Sequence, residues 1–322
     1  MHQFCKSRLF VWCLLAITGP WSVAQAEDRA KAQNDAASVG GKEAVTIEQT
    51  DDGLAVKIKG EEFTVFHHGA ALPKPYFWPV RGPGGAILTR PNDPNEKEHP
   101  HHRGIWLSVD EVNHVRFWAE KGRIVTTDVK SKSGKPGTIE MTNEWIGLDG
   151  TPALIEKTIV SIYPERLITY DTTLAPPVGK LARFDDTKEG FFGFRVAQSM
   201  REKEGGIVTN SDGKKTTAEC WGQPAKWVDY TGVVDAKTYG VALMDHPGNF
   251  RPSRYHVRDY GLFSMSPFGE GAYQNDESKS QPVILDADTP SLRFRFGAYI
   301  HAGNATEGKV AEAYKQFIEV TK

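Results

Sequence analysis

From Ala44 onward, apolar and polar residues alternate with period two in short stretches broken by Gly, Pro, Asn and Asp. Leu54-Ala55-Val56-Lys57-Ile58-Lys59, Thr138 to Trp145 and Leu292 to Phe296 each alternate over a length that suits one half-buried strand. Thr158 to Tyr163 and Leu167 to Leu174 are rich in β-branched and aromatic residues, and Pro164-Glu165-Arg166 between them predicts a hairpin. Turn signals recur at Asp51-Asp52-Gly53, Ser133-Gly134, Asp149-Gly150 and Asp212-Gly213. The period changes only near the end, where Val310, Tyr314 and Phe317 repeat at helical spacing between Thr306 and Val320, capped by Asn304 or Thr306. The pattern predicts an all-β fold, a large antiparallel β-sandwich with a C-terminal helix. No repeat or break in composition divides residues 44–322, which are expected to form a single domain.

The beginning of the chain follows a different logic. Lys6 and Arg8 precede the apolar run Leu9 to Ile17, and Ala24-Gln25-Ala26 has the small-x-small pattern of a cleavage site, so residues 1–26 read as a signal peptide. The apolar run is too short to span a bilayer comfortably, and no membrane span is expected in the mature chain. Residues 27–43 are polar and aperiodic and read as a flexible leader. A periplasmic or secreted location follows. Cleavage removes Cys5 and Cys13 and leaves Cys220, read as a small buried hydrophobe beside Trp221, so no disulfide within the chain is expected.

With 39 Lys+Arg against 41 Asp+Glu the net charge is −2, which argues against the basic surface that nucleic-acid binding needs. A phosphate loop, a Gly-x-Ser-x-Gly elbow, a His-Glu-x-x-His zinc site and a Cys-x-x-Cys pair are all absent from the sequence. The chemistry falls instead to three polar clusters. His99-Pro100-His101-His102-Arg103-Gly104-Ile105-Trp106 leads from a long loop into an apolar run. Crowded imidazoles can shuttle protons, bind an oxyanion beside Arg103, or ligate a divalent metal through His99, His101 and His102. Alternation would place His102 with the Trp106 ring. Asp245-His246-Pro247-Gly248-Asn249, with His256, Arg258, Asp259 and Tyr260 shortly after, supplies an acid, a base and an anion clamp. Asp185-Asp186-Thr187-Lys188-Glu189 places a carboxylate beside Lys188 ahead of an apolar run, where burial would tune it as a general base. Phe77, Trp78 and Trp106 are candidates to stack on a sugar ring, with Asn249 and Asp259 as polar contacts. Three long polar loops, Gly82 to Pro100, Arg201 to Thr216 and Gly269 to Pro282, could wall a cleft.

Together Lys74-Pro75-Tyr76-Phe77, the His99 to Trp106 cluster, Asp186-Thr187-Lys188-Glu189-Gly190, Cys220-Trp221-Gly222 and the block from Asp245 to Gly269 resemble an exported bacterial family, abundant in planctomycetes, that carries the name methane oxygenase PmoA-like. The oxygenase activity in that name belongs to a membrane protein with long apolar helices, which this sequence lacks after its signal. The resemblance implies a sandwich of the galactose-mutarotase type, a scaffold common among carbohydrate-active enzymes. The expected function is an exported enzyme acting on a sugar or glycoside by hydrolysis, elimination or epimerisation. His102, His246 and His256 are expected to move protons, Glu189 and Lys188 to assist them, and Arg103 and Arg258 to hold substrate oxygens. The rivals are a metal-dependent enzyme built on the histidine cluster and a non-catalytic glycan-binding module stacking on Trp78 and Trp106.

Overall fold

The computed structural model describes residues 44–322. The signal and leader expected over residues 1–43 lie outside the described residues. Within residues 44–322 the predicted strands form: Gly53–Ile58, one residue earlier than its alternating motif, and Gly137–Ile146 and Leu292–Ala302, each longer than theirs. The predicted hairpin joins Pro152–Ile162 to Leu167–Ala175, with Ile162 opposite Ile168.

Two antiparallel sheets of eight strands carry the fold. In spatial order the first sheet runs Val45–Thr50, Gly53–Ile58, Glu61–His67, Tyr76–Phe77, Ile105–Leu107, Phe192–Arg195, Leu262–Ser266 and Arg254–Val257. The second runs Ile207–Asn210, Trp227–Val234, Lys237–Asp245, Leu292–Ala302, Leu167–Ala175, Pro152–Ile162, Gly137–Ile146 and Arg123–Lys132. The sheets pack face to face through large rings. Phe77 meets Tyr170 edge-on, Tyr170 meets Phe192, and Phe192 stacks on Phe296 at 5.6 Å. This is the expected sandwich, and a small four-stranded sheet that includes Ala182–Phe184 accompanies it.

The second sheet is apolar on both faces along Lys237–Asp245. Val241 and Leu243 enter the core, while Ala242 and Met244 turn outward under the terminal helix, α1, Val310–Val320. Val310, Ala313 and Phe317 of α1 cover them, as a helical stripe should. The helix begins later than the capping signals imply. Asn304 Oδ1 accepts from the amides of Thr306 and Glu307, closing a separate turn, and α1 starts only after Lys309 at φ 54°. Among the described residues no helix is long and apolar enough to cross a membrane.

Candidate functional site

Period-two alternation gives the first sheet an unusual outer face. Ile105, Leu107, Phe192, Phe194, Tyr255, Val257, Phe263 and Met265 point into the core, so Trp106, Gly193, His256 and Ser264 point out. The register aligns them in one row: Trp106 lies opposite Gly193, Gly193 opposite Ser264, and Ser264 opposite His256. Gly193 has to be small, because a Cβ there would lie 2.9 Å from both Trp106 Cζ2 and Trp118 Cη2. One pair further along, Arg195 and Leu262 share the same face. The strand order thus brings three stretches far apart in sequence onto one surface.

The histidine loop folds over one end of this row because two buried cations bind its carbonyls. Arg90 donates to the carbonyls of Glu98 and His99 at 2.8 Å and to that of His102 at 3.2 Å. Lys74, 1% exposed, donates to the His101 carbonyl and to Glu120 Oε1, both at 2.9 Å. Burial brings the Lys74 ammonium down to about 8 despite Glu120. His102 does stack on Trp106, at 5.4 Å and 18°. Strand alternation is not the cause, because the strand starts only at Ile105 and Gly104 sits at φ 60°, where a Cβ would lie 1.9 Å from the Phe77 carbonyl oxygen. The column continues outward, with His99 stacked on His102 at 4.8 Å and Tyr260 stacked on His99 at 5.0 Å.

At the other end of the row stand Glu189 and His256. His256 Nδ1 lies 3.1 Å from the Lys188 carbonyl, which can only accept, so Nδ1 carries the proton and Nε2 keeps the lone pair. Tyr273, from the third long loop, donates its hydroxyl to the same carbonyl at 2.7 Å. Glu189 Oε2 is 3.9 Å from His256 Nδ1. Burial pushes the Glu189 carboxyl up and the His256 imidazole down to about 4, so each neutral form is favoured. Arg258 acts electrostatically on both, and so does His99, which ties the histidine loop to this pair. Trp221 lies nearly perpendicular to His256, with ring centres 6.3 Å apart. Trp221 and Arg258 also line a cleft of about 400 Å³ with Glu202, Thr217, Val257 and Asp259, and through them it adjoins His256.

Of the residues singled out in the sequence, His99, His102, Glu189, His256, Arg258 and Trp106 are therefore brought together, with Lys188 contributing its carbonyl and Asp259 a wall of the cleft. Arg103 is engaged by Glu120 at 3.4 Å and Asn92 at 3.4 Å, and lies over the Tyr76 ring. Others stand apart. His246 Nδ1 accepts from the Gly248 amide at 2.9 Å, and its ring meets Phe317 of α1 edge-on. Asn249 is consumed by Asp245 and the Arg295 backbone. Phe77 is 0% exposed within the core, because in Tyr76–Phe77 it is Tyr76 that faces outward. Trp106 cannot serve as a stacking platform, since His102 covers its ring and Trp118 packs against it at 4.9 Å. Trp78 remains half-buried, its Nε1 donating to the Arg90 carbonyl.

The metal expectation for His99, His101 and His102 meets a different arrangement. Among the described residues no group of three or more His, Cys, Asp or Glu side chains is placed to hold a metal ion. His99 and His102 face each other ring to ring, His101 meets His102 edge-on at 4.5 Å, and His102 Nδ1 points at the Arg195 guanidinium. Lys74, Arg90 and Arg195 add positive charge around the rings.

Arg195, Lys74, Arg90, Trp221 and Tyr273 belong to the site without having been singled out for it. For Arg195 a signal existed, a single charge closing the apolar run Phe191-Phe192-Gly193-Phe194.

A family model matches residues 53–315, that of a family of unknown function, DUF6807. No curated protein matches the chain. Among solved structures it is similar to the crystal structure of a beta-arabinopyranosidase, at 12% identity and a TM-score of 0.32, over 80% of this chain and 38% of that one. The chain thus spans well under half the length of that structure. It is also similar to HI1317, at 8% identity and a TM-score of 0.30, over 80% of this chain and 99% of that one.

Proposed function

Because the chain belongs to DUF6807, a family of unknown function, its own site has to carry the functional reading, and we propose that it is an exported carbohydrate-active enzyme working by acid/base chemistry on a sugar or glycoside. The observation that carries the reading is the pairing of Glu189 with His256, 3.9 Å apart, beside the Trp221 cleft on the outer face of the first sheet. A carboxyl held towards its neutral form can donate a proton, and an imidazole with a free Nε2 lone pair can accept one. His256 is the base, fixed in its tautomer by the Lys188 carbonyl, and Glu189 is the acid. Arg258 holds substrate oxygens at the cleft, and Trp221 supplies an aromatic wall beside it. Hydrolysis, elimination and epimerisation all use such a pair. The sandwich resembling the galactose-mutarotase type, the resemblance to the PmoA-like family and a periplasmic or secreted location are parts of the same proposal, without the oxygenase activity.

The test is a screen of neutral and acidic oligosaccharides and aryl glycosides, read by mass spectrometry and by proton NMR of the anomeric signals. Turnover is expected, and Glu189→Gln and His256→Asn should each abolish it while the melting temperature stays close to that of the parent. Turnover that survives both substitutions, or no change in any carbohydrate, would defeat the proposal.

A further inference from the structure

Arg195 is 2% exposed, and among the described residues no carboxylate lies within ion-pair reach of it. Its polar contact is Nη1 to His102 Nδ1 at 3.4 Å, and its guanidinium carbon lies 4.6 Å from the centre of the Tyr260 ring. Arginine only donates, so His102 Nδ1 accepts and the imidazole proton sits on Nε2. That Nε2 is buried without a partner, and so are Arg195 Nε, Trp106 Nε1 and Trp118 Nε1. The three rings lie close together, His102 at 5.4 Å from Trp106 and 5.6 Å from Trp118, and Trp106 at 4.9 Å from Trp118.

Every one of these orphaned atoms is a donor. Arg90 Nε and Arg103 Nε also lack a hydrogen-bond partner, but these neighbouring cations have a carboxylate in reach, Lys74 and Arg103 at Glu120 and Arg90 at Glu96. Glu96 and Glu98 act on Arg195 only from beyond ion-pair distance, which leaves a buried guanidinium incompletely compensated, and orphaned buried polar groups are few in native proteins. Three of them beside an arginine that has no ion-pair partner and an orphaned Nε of its own describe a place that is complete only when an acceptor-rich group is present. A single unpaired guanidinium with a planar fork balances one planar carboxylate, whereas a phosphate dianion would leave a charge over.

We propose that the sugar substrate carries a carboxylate, as a uronic acid does, and that Arg195, with His102 Nε2, receives it at the histidine end of the site. The proposal rests on the carbohydrate reading above and names its substrate class. The ligand reaches Arg195 by displacing the outer rings of the column: His99, whose side chain is 38% exposed, and the half-buried Tyr260. Arg195 is then a binding residue for the acid group, distinct from the Glu189–His256 pair that moves protons.

Isothermal titration of the protein with glucuronate, galacturonate and mannuronate against glucose, galactose and mannose tests this, with galactose 6-sulfate and inorganic phosphate as other anions. At least one uronate should bind about tenfold or more tighter than its neutral counterpart, and Arg195→Gln should erase that preference without lowering the melting temperature. Should Arg195→Gln fail to fold, Arg195→Lys keeps the charge, loses the fork, and is expected to weaken uronate binding alone. Equal binding of acid and neutral sugars, a preference that persists in the Arg195 variants, or binding of the sulfated sugar or phosphate but no uronate overturns the proposal. Neutral-sugar turnover that depends on Glu189 and His256 without any acid preference would overturn this inference and leave the carbohydrate reading intact. Absence of any sugar binding would overturn both.

Discussion

Arg195 donates from Nη1 to His102 Nδ1 at 3.4 Å, across 93 positions of sequence. That contact fixes the His102 tautomer and places the ring between His99 and Trp106. His102 is therefore both packing and chemistry, and two substitutions separate the roles. His102→Ala opens a cavity in a stacked column and should cost about 2 kcal/mol or more in urea unfolding. His102→Phe fills the space, keeps the ring and removes both nitrogens, so stability should stay within about 1 kcal/mol of the parent while uronate binding is lost. Equal stability losses in the two variants would show that the nitrogens, not the ring, hold the loop.

Acid should weaken the fold. Burial lowers His256 to about 4 and His101 to about 3, and holds His102 well below 6.5. Unfolded, each imidazole binds its proton near 6.5, so between that value and the folded one the unfolded chain holds more protons, and stability falls as pH drops. Burial also raises Glu189, Asp110 and Glu156, whose neutral forms stabilise the fold in acid and oppose this, and two further groups act in the same sense. Burial raises Asp245 to about 6, so its neutral form stabilises the fold below that pH, and His301, lowered by burial but raised overall by its 2.8 Å bond to Asp229, gains stability when charged. Burial lowers His68, His99 and His246 as well, and the raised carboxyls return most of their stability only nearer their unfolded values of about 4, so the histidines outweigh them and the melting temperature should fall steadily from about pH 7 to about pH 5. A flat or rising profile in calorimetry would mean that these rings are already charged in the folded protein.

The sheets were legible because period-two alternation is a local signal, and it also shows that Tyr76 and Phe77 face opposite ways. It does not show which of them meets the core. That is decided by the partner sheet, where Tyr170 waits for Phe77, and a stacking role for Phe77 fails for this reason. The meeting of the histidine loop, Glu189 and His256 was equally beyond local reading, since it depends on Ile105–Leu107, Phe192–Arg195, Leu262–Ser266 and Arg254–Val257 lying side by side. His246 lies in the same polar block as His256 and beside a carboxylate, yet the strand Lys237–Asp245 delivers it to α1 instead. Arg195 was hidden for the opposite reason. An apolar run announces burial, and the charge that ends it carries meaning only when its counter-charge is seen to be missing.

Lys74 and Glu120 make a pair with side chains 1% and 16% exposed. Removing one partner of a buried pair leaves the other charge and the carbonyls uncompensated, which typically costs about 3 to 5 kcal/mol. Arg103 also reaches Glu120 and softens the loss, so Lys74→Met should destabilise by about 3 kcal/mol in urea unfolding. The histidine loop should become cleavable by protease near His101, whose carbonyl loses its donor. A loss below about 1 kcal/mol would assign the loop's order to Arg90 alone.

Asp186 holds the third long loop to the sheet. Its carboxylate accepts from the amides of Gly271 at 3.1 Å, Ala272 at 2.8 Å and Gln281 at 2.8 Å, which pins both ends of the segment that carries Tyr273. Tyr273 in turn holds the Lys188 carbonyl that fixes the His256 tautomer. Asp186 never touches the reacting pair, so it is a positioning residue. Asp186→Ala strands three amide donors and should lower kcat with little change in KM, because His256 loses its orientation while the Trp221 cleft keeps its walls. The acidic limb of the pH–rate profile should shift as well, since a loosened His256 is better solvated and moves up from about 4 towards 6.5. Tyr273→Phe removes only the hydroxyl and should reproduce the shift in part. An Asp186→Ala enzyme with an unshifted profile and a raised KM alone would place Asp186 in the architecture of the cleft, with no bearing on the base.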